Sequence, residues 1–265
     1  LSAAEDNGLF FRTAPSDARQ GEVLAGIMVD KGITSAAVTY TNNDYGKGFA
    51  DAFQAAYEAA GGSVTLSAPH EDGKADYSAE VGALASAGGD ALVVLGYVDQ
   101  GGAGVIQGAL DTGAFDMFAM GDGMIGDSLV ERFGDDIAGM IGTAPGSDNA
   151  GAALFAEMAT AAGIDGTSVY SGESYDAAAL MLLSMAVAGS MEPADYQSHI
   201  FDVANAPGEQ ILPGELDKAL EIIAGGGDID YQGATGVELV EPGEAAGSYA
   251  EFTVEDGALK VVGYR

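Results

Sequence analysis

Tyr45, Tyr97 and Asp122 are the side chains whose types and positions suit the capture of a small ligand. Tyr45 stands in TNNDYGKGFADAF, Tyr97 directly follows ALVVLG, and Asp122 follows DMFAMG. Two phenol rings can wall a pocket and a carboxylate can orient a polar group, which is the mixture that a small-molecule site needs. Each also has an ordinary structural role open to it: Asp122 as the cap of a following helix, either tyrosine as packing on a sheet rim. Groups suited to breaking bonds are scarce. With no cysteine the chain has no thiolate nucleophile, disulfide or Cys-ligated metal. Its two histidines, His70 and His199, are far apart in the sequence, and a lone histidine more often packs or faces water than acts as base or ligand. GGAGVIQG at 101–108 follows a strand and opens a helix, but its glycines miss the G-x-G-x-x-G spacing by one residue, and no G-x-x-x-x-G-K-[ST] occurs. Asp135 and Asp136 are paired simply because acid is abundant. The residues therefore point to no catalytic group, no metal and no cofactor.

The elements that must position these side chains are legible as alternation. Apolar runs of strand length cover Ala36 to Thr41, Ser63 to Ala68, Ala91 to Tyr97, Asp116 to Met120 and Gly139 to Thr143. Helical patterns fill the gaps: Asp17 to Asp30, the stretch after Tyr45, Tyr77 to Ala87, Gly104 to Leu110 and Asp127 to Phe133. In the helix after Tyr45, the stripe Phe49, Phe53, Ala56 and Ala60 suits packing on a sheet. Strict alternation predicts a doubly wound α/β fold with a parallel sheet and helices on both faces. Ligands of such sheets sit outside the carboxyl ends of the strands, where Tyr45, Tyr97 and Asp122 all fall. After Thr143 the pattern changes to helices near Ala150 to Ala162, Glu173 to Ala188, Ala194 to Ala204 and Gly214 to Ala224, with no convincing strand between them. The ending YAEFTVEDGALKVVGYR reads as a hairpin around Glu255-Asp256-Gly257 that adds to the edge of the first sheet.

Composition excludes several partners. The 265 residues carry 41 acidic against 9 basic side chains, a formal net charge of -32, so phosphate backbones are repelled and nucleic acid is not a partner. The longest apolar stretch, Ala177 to Gly189, is shorter than the roughly 20 residues that span a bilayer and reads as a buried helix. The opening LSAAEDNGLFF has neither the basic start nor the apolar run of a signal peptide.

Five segments in order, FFRTAPSDARQG (10–21), TNNDYGKGFADAF (41–53), MGDGMIGDSL (120–129), ESYDAAALML (173–182) and DYQGATGVEL (230–239), resemble the branched-chain amino-acid binding proteins of ABC importers. The resemblance implies a type I periplasmic binding fold: two α/β lobes joined by three crossovers, closing on an amino acid or similar solute. It implies a periplasmic or extracytoplasmic protein, an ABC importer permease as partner, and no enzymatic activity. Roughly the first hundred residues of a family member, two or more βα units, have no counterpart here. The near-complete lobe is then expected at 13–143 plus 244–265, with 1–12 and 146–233 belonging to the other, and crossovers near 12–13, 143–146 and 233–241. Carried over by position, Tyr45 lies against the ligand, Tyr97 is a second pocket residue, Asp122 receives the ligand ammonium, and Tyr175 reaches the ligand from the first lobe or serves as a core tyrosine. Some relatives place the acid one residue later, where this chain has Gly123. The family's carboxylate clamp of Ser/Thr hydroxyls and backbone amides belongs to the segment without a counterpart. A ligand-sensing lobe of a receptor or regulator, and a Rossmann-like enzyme, are the alternatives; the first needs a DNA-binding or transmembrane module and the second a cofactor fingerprint.

The charge itself generates a prediction. Repulsion among 41 carboxylates opposes the compact state, and salt screens it within a Debye length of about 10 Å at 0.1 M. The melting temperature is expected to rise from low to molar sodium chloride in a calorimetric scan; a flat or falling series contradicts this.

Overall fold

The computed structural model describes residues 5–265. The described chain divides into two compact units, residues 17–144 with 249–265, and residues 5–16 with 145–248. In chain order the first of these contains α1 (Asp17–Asp30), β1 (Ser35–Thr41), α2 (Asp44–Ala59), β2 (Ser63–His70), α3 (Ser78–Ala87), β3 (Ala91–Leu95), α4 (Ala103–Thr112), β4 (Phe118–Met120), α5 (Asp127–Phe133) and β5 (Ile141–Pro145). The chain then enters the second unit with α6 (Ala150–Ala161), α7 (Ser171–Ala188), α8 (Pro193–Tyr196), α9 (Ile200–Ala204), β6 (Glu209–Ile211), α10 (Leu216–Ala224), β7 (Ile229–Tyr231), β8 (Leu239–Val240) and β9 (Glu244–Ala245). It returns to the first as the hairpin β10 (Tyr249–Glu255) and β11 (Ala258–Tyr264).

A seven-stranded sheet in the order β11-β10-β5-β4-β3-β1-β2 organises the first unit. Strands β1 to β5 pair in parallel and β10 pairs antiparallel with β11, so the sheet is mixed with the terminal hairpin at its edge. Successive side chains of a strand face opposite ways, and in β1, β3, β4 and β5 both faces are buried. Along β3, Val93 and Leu95 pack with Leu24, Ile27, Phe49 and Phe53 of α1 and α2, while Leu92 and Val94 pack with Val81, Leu84, Val105 and Ile106 of α3 and α4. That two-sided burial explains why the strands read as near-continuous apolar runs. On α2 the buried stripe runs through Phe49, Phe53 and Tyr57, and Ala60 is exposed. Tyr57 can be buried because its hydroxyl donates to the carbonyl of Ile33 at 2.8 Å.

Three expectations for the second unit require correction. Residues 146–233 are not strand-free: β6 and β7 pair in parallel, Glu209 beside Ile229 and Ile211 beside Tyr231. Each has only three residues and carries Glu, Gln or Asp, so neither makes an apolar run. The apolar stretch within α7 is not buried all round. Ala179, Leu180 and Leu183 face the core, whereas Met181, Leu182 and Val187 are exposed. No single helix among the described residues is long and apolar enough to cross a membrane. The expected helix at 194–204 is interrupted by a 3-10 turn at Gln197–His199 between α8 and α9.

Asp176 on α7 organises this unit. It is fully buried, and its carboxylate accepts from the Tyr231 hydroxyl (2.9 Å), the Ala234 N–H (2.7 Å), the Thr235 N–H (2.8 Å) and the Thr235 hydroxyl (2.7 Å). Burial pushes its pKa up, and these four donors oppose the rise. Gly233 permits the close approach: its φ is +54°, and a Cβ there would stand 2.1 Å from Asp176 Oδ1. Replacing Asp176 with alanine strands several buried donors, at on the order of 1–3 kcal/mol for each that water cannot reach. Urea unfolding of Asp176→Ala is expected to show a loss of about 3 kcal/mol or more, with Asp176→Asn intermediate. An unchanged midpoint for the alanine variant would mean that the 231–235 turn is held by other contacts.

Candidate functional site

The chain path explains where a site can form in the seven-stranded sheet. From β1 it passes through α2 to β2 on one side, then through α3 to β3 on the other side of β1. At such a reversal the flanking strand-to-helix turns splay to opposite faces and leave an opening at the carboxyl ends of the strands. The turns after β1, β3 and β4 leave three adjacent strands.

The turn after β1 is short because Asn43 caps α2: its backbone is extended (φ -144°, ψ 179°) and its side-chain oxygen accepts from the Gly46 N–H at 2.9 Å. This places Tyr45 in the first turn of the helix, half-buried. The turn after β3 begins at Gly96 and Tyr97 and continues as a π-helical turn, Val98–Gly102, before α4 starts. The apolar run thus ends as a strand at Leu95, two residues before Tyr97. The ring of Tyr97 stacks on that of Tyr45, centroids 5.3 Å apart and planes 28° from parallel. Phe49 supports Tyr45 edge-on, at 6.0 Å and 73°.

Asp122 opens a 3-10 turn, Asp122–Met124, after β4. Its side chain does not cap α5, whose capping residue is Gly126. Instead its Oδ1 accepts from the Tyr45 hydroxyl at 3.1 Å, and the residue is only 8% exposed. The glycines on either side make this possible. A Cβ on Gly123 would lie 2.4 Å from the Gly96 carbonyl oxygen and 3.2 Å from the Tyr45 hydroxyl, so the turn is pressed against the two that carry the tyrosines. The structure therefore brings Tyr45, Tyr97 and Asp122 together. Phe49 and Gly123 complete the group: in the sequence Phe49 reads as helix stripe, and Gly123 as the position where some relatives carry the acid, with the G-D-G spacing as the local sign of its packing role.

Tyr175 belongs to the other unit. It sits on α7 with its ring 5.2 Å from that of Phe155, and its hydroxyl oxygen accepts from the Gly214 N–H at 3.4 Å. His199 lies 3.6 Å from the exposed Asp202 in that same unit, whereas His70 is buried at the end of β2. Asp135 and Asp136 are exposed on a 3-10 turn. Among the described residues no three His, Asp or Glu side chains are grouped to hold a metal ion.

The Periplasmic binding protein family model matches residues 1–200. The chain is 24% identical over 255 residues to the chemotactic signal transduction system substrate-binding protein BasB of Halobacterium salinarum, covering 94% of this chain and 59% of that one. It is 39% identical over 100 residues to the Leu/Ile/Val-binding protein homolog 3 of Brucella melitensis, 35% of this chain and 25% of the relative. It thus spans less than two thirds of the length of either curated relative. Among solved structures it is similar to a leucine binding protein, LivK, from Thermotoga maritima, with a TM-score of 0.77 at 22% identity over 96% of this chain and 67% of that one. It is also similar to the LivJ substrate binding protein of Streptococcus pneumoniae in complex with isoleucine, with a TM-score of 0.67 at 18% identity over 93% and 65%. Likeness at these identities shows the fold, and these neighbours are solute-binding proteins, not enzymes. With three quarters of its length matched by one family model and the type I architecture shared across its described residues, the chain belongs to the periplasmic binding protein family.

Proposed function

We propose that the protein captures an amino acid, branched-chain or of similar size, and delivers it from outside the cytoplasm to the membrane permease of an ABC importer. The observation that supports this reading is the stacked Tyr45 and Tyr97 pair beside the nearly buried Asp122 carboxylate at the carboxyl ends of adjacent strands. In this reading the rings wall the site and exclude water. Asp122 then meets the ligand ammonium where the local dielectric is low and a charge-assisted hydrogen bond is strong. The Tyr45 hydroxyl, by donating to Asp122, aims the carboxylate. Tyr175 is included in the ligand set on the resemblance alone, since its contacts within its own unit are those of a packed ring. Membership of the family supports the extracytoplasmic location.

A second reading has one observation in its favour. The curated relative matched over 94% of this chain is named as a chemotactic signal transduction system substrate-binding protein. The same solute-loaded protein would then be presented to a sensory transducer in place of a permease, with the site unchanged.

Calorimetric titration of the intact protein against a panel of amino acids tests the site. Asp122→Asn leaves a desolvated ammonium without its counter-charge and is expected to cost on the order of 3 to 5 kcal/mol of binding. Tyr45→Phe keeps the ring and loses one hydrogen bond, about 1 kcal/mol. An Asp122→Asn protein that binds as tightly as wild type removes Asp122 from the site. Absence of binding to every amino acid in the panel overturns the ligand class.

A further inference from the structure

His70 is a buried imidazole that the proposed ligand set does not use. It ends β2, is 1% exposed, and is tied to β1 and to the residue that follows it: its Nδ1 is 2.9 Å from the Thr39 hydroxyl, and its carbonyl accepts from the Asn42 N–H at 3.0 Å. The ring stands edge-on to Tyr77 at 6.2 Å. Its Nε2 side faces the turn that carries Tyr97. A Cβ on Gly96 would lie 3.0 Å from Nε2, and one on Gly101 would lie 2.6 Å from Cδ2 and 3.0 Å from Nε2. The imidazole thus occupies the space of a side chain at both ends of the turn. That turn closes on Tyr97 itself, through the Gly102 N–H and the Tyr97 carbonyl at 3.1 Å.

We infer that His70 is a positioning residue for Tyr97, holding the ring against Tyr45 while the imidazole is neutral and releasing it when the imidazole is protonated. The inference rests on the reading that Tyr97 walls the ligand site. Two buried atoms without hydrogen-bond partners carry it, His70 Nε2 and Asp72 Oδ1. They flank Gly101: the point where its Cβ would stand is 3.0 Å from one and 2.9 Å from the other. Asp72 is itself anchored to β1, its Oδ2 accepting from the Thr41 hydroxyl at 2.5 Å. Each group is held to the sheet through its other polar atom, Nδ1 or Oδ2, and the glycine turn lies against the Nε2 and Oδ1 that remain. A proton taken from water makes both ring nitrogens donors and places a charge beside Asp72 Oδ1. Closing that pair displaces Gly101, and with it Tyr97.

The charged groups facing the imidazole are Asp72 and Glu71 from the segment after β2, and Glu80 from α3, which is paired with Lys74. Burial pulls the His70 pKa below its ordinary value and outweighs the upward pull of the three carboxylates, Asp72 foremost. The neutral form thus prevails above about pH 6.5, and protonation sets in below it. Affinity is accordingly level from pH 8 to about pH 7 and falls on further acidification.

The test uses the intact protein with ring-labelled histidine and tyrosine. In NMR titrations without ligand, the Tyr97 ring resonances are expected to shift with the same midpoint as the His70 imidazole, and to stay put in His70→Gln while following wild type in His199→Gln. Asp72→Asn, which keeps the imidazole, is expected to abolish the shift of Tyr97 while His70 still titrates. For binding, leucine titrations are expected to weaken as the pH falls through the midpoint of the His70 imidazole, by about five-fold once it is protonated, in wild type and to be level in Asp72→Asn. Tyr97 resonances that ignore the titration of His70 overturn the inference whether or not leucine binds, whereas coupled resonances without leucine binding support it and count only against the proposed ligand. An affinity that falls equally in wild type and Asp72→Asn also overturns it.

Discussion

The seven-stranded sheet must be covered on both faces, because its parallel strands carry apolar side chains above and below. Helices α1 and α2 cover one face and α3 and α4 the other, which leaves the ends of the strands as the places where polar groups can gather. The reversal of strand order at β1 then sends neighbouring helices to opposite faces, and the turns after β1, β3 and β4 are left side by side. The placement of Tyr45, Tyr97 and Asp122 depends on this constraint. Shifting β1 by one residue would exchange its two faces and dismantle both cores.

Packing at that edge is close enough that backbone, rather than side-chain bulk, decides what fits. Gly123 lets the Asp122 turn meet the Gly96 carbonyl, and Gly96 and Gly101 let the turn of Tyr97 rest on His70. An interior packed at crystal-like density transmits small displacements and does not absorb them. The polar groups beneath the aromatic pair are for that reason mechanically connected to it.

The excess of acid has a different physical standing from the buried carboxylates. Among the described residues, eight of the nine basic side chains, all but Arg132, form ion pairs with carboxylates of the same chain, and Arg132 stacks over Phe133. Mostly exposed pairs of this kind contribute about 0–1 kcal/mol each and leave most of the 41 acids uncompensated. Asp176 and Asp122, by contrast, are removed from water and held by directed donors. Their energetic weight comes from geometry, and the surface acids act through their number.

Local pattern in the sequence determined the alternation of strand and helix in residues 17–144, the terminal hairpin, and the fall of Tyr45, Tyr97 and Asp122 at strand ends, since apolar periodicity and turn chemistry act over a few neighbours. The two short strands β6 and β7 escaped it because three residues with polar side chains make no periodic signal. The exposed face of α7 escaped it because an apolar run does not say which side will be covered. Strand order is likewise absent from local pattern. Only the tertiary structure decided that β4, β3 and β1 are adjacent, that the Tyr45 hydroxyl reaches Asp122 across 77 residues, and that His70 lies under the turn of Tyr97. These are contacts between segments distant in the chain, selected by burying both faces of one sheet at once.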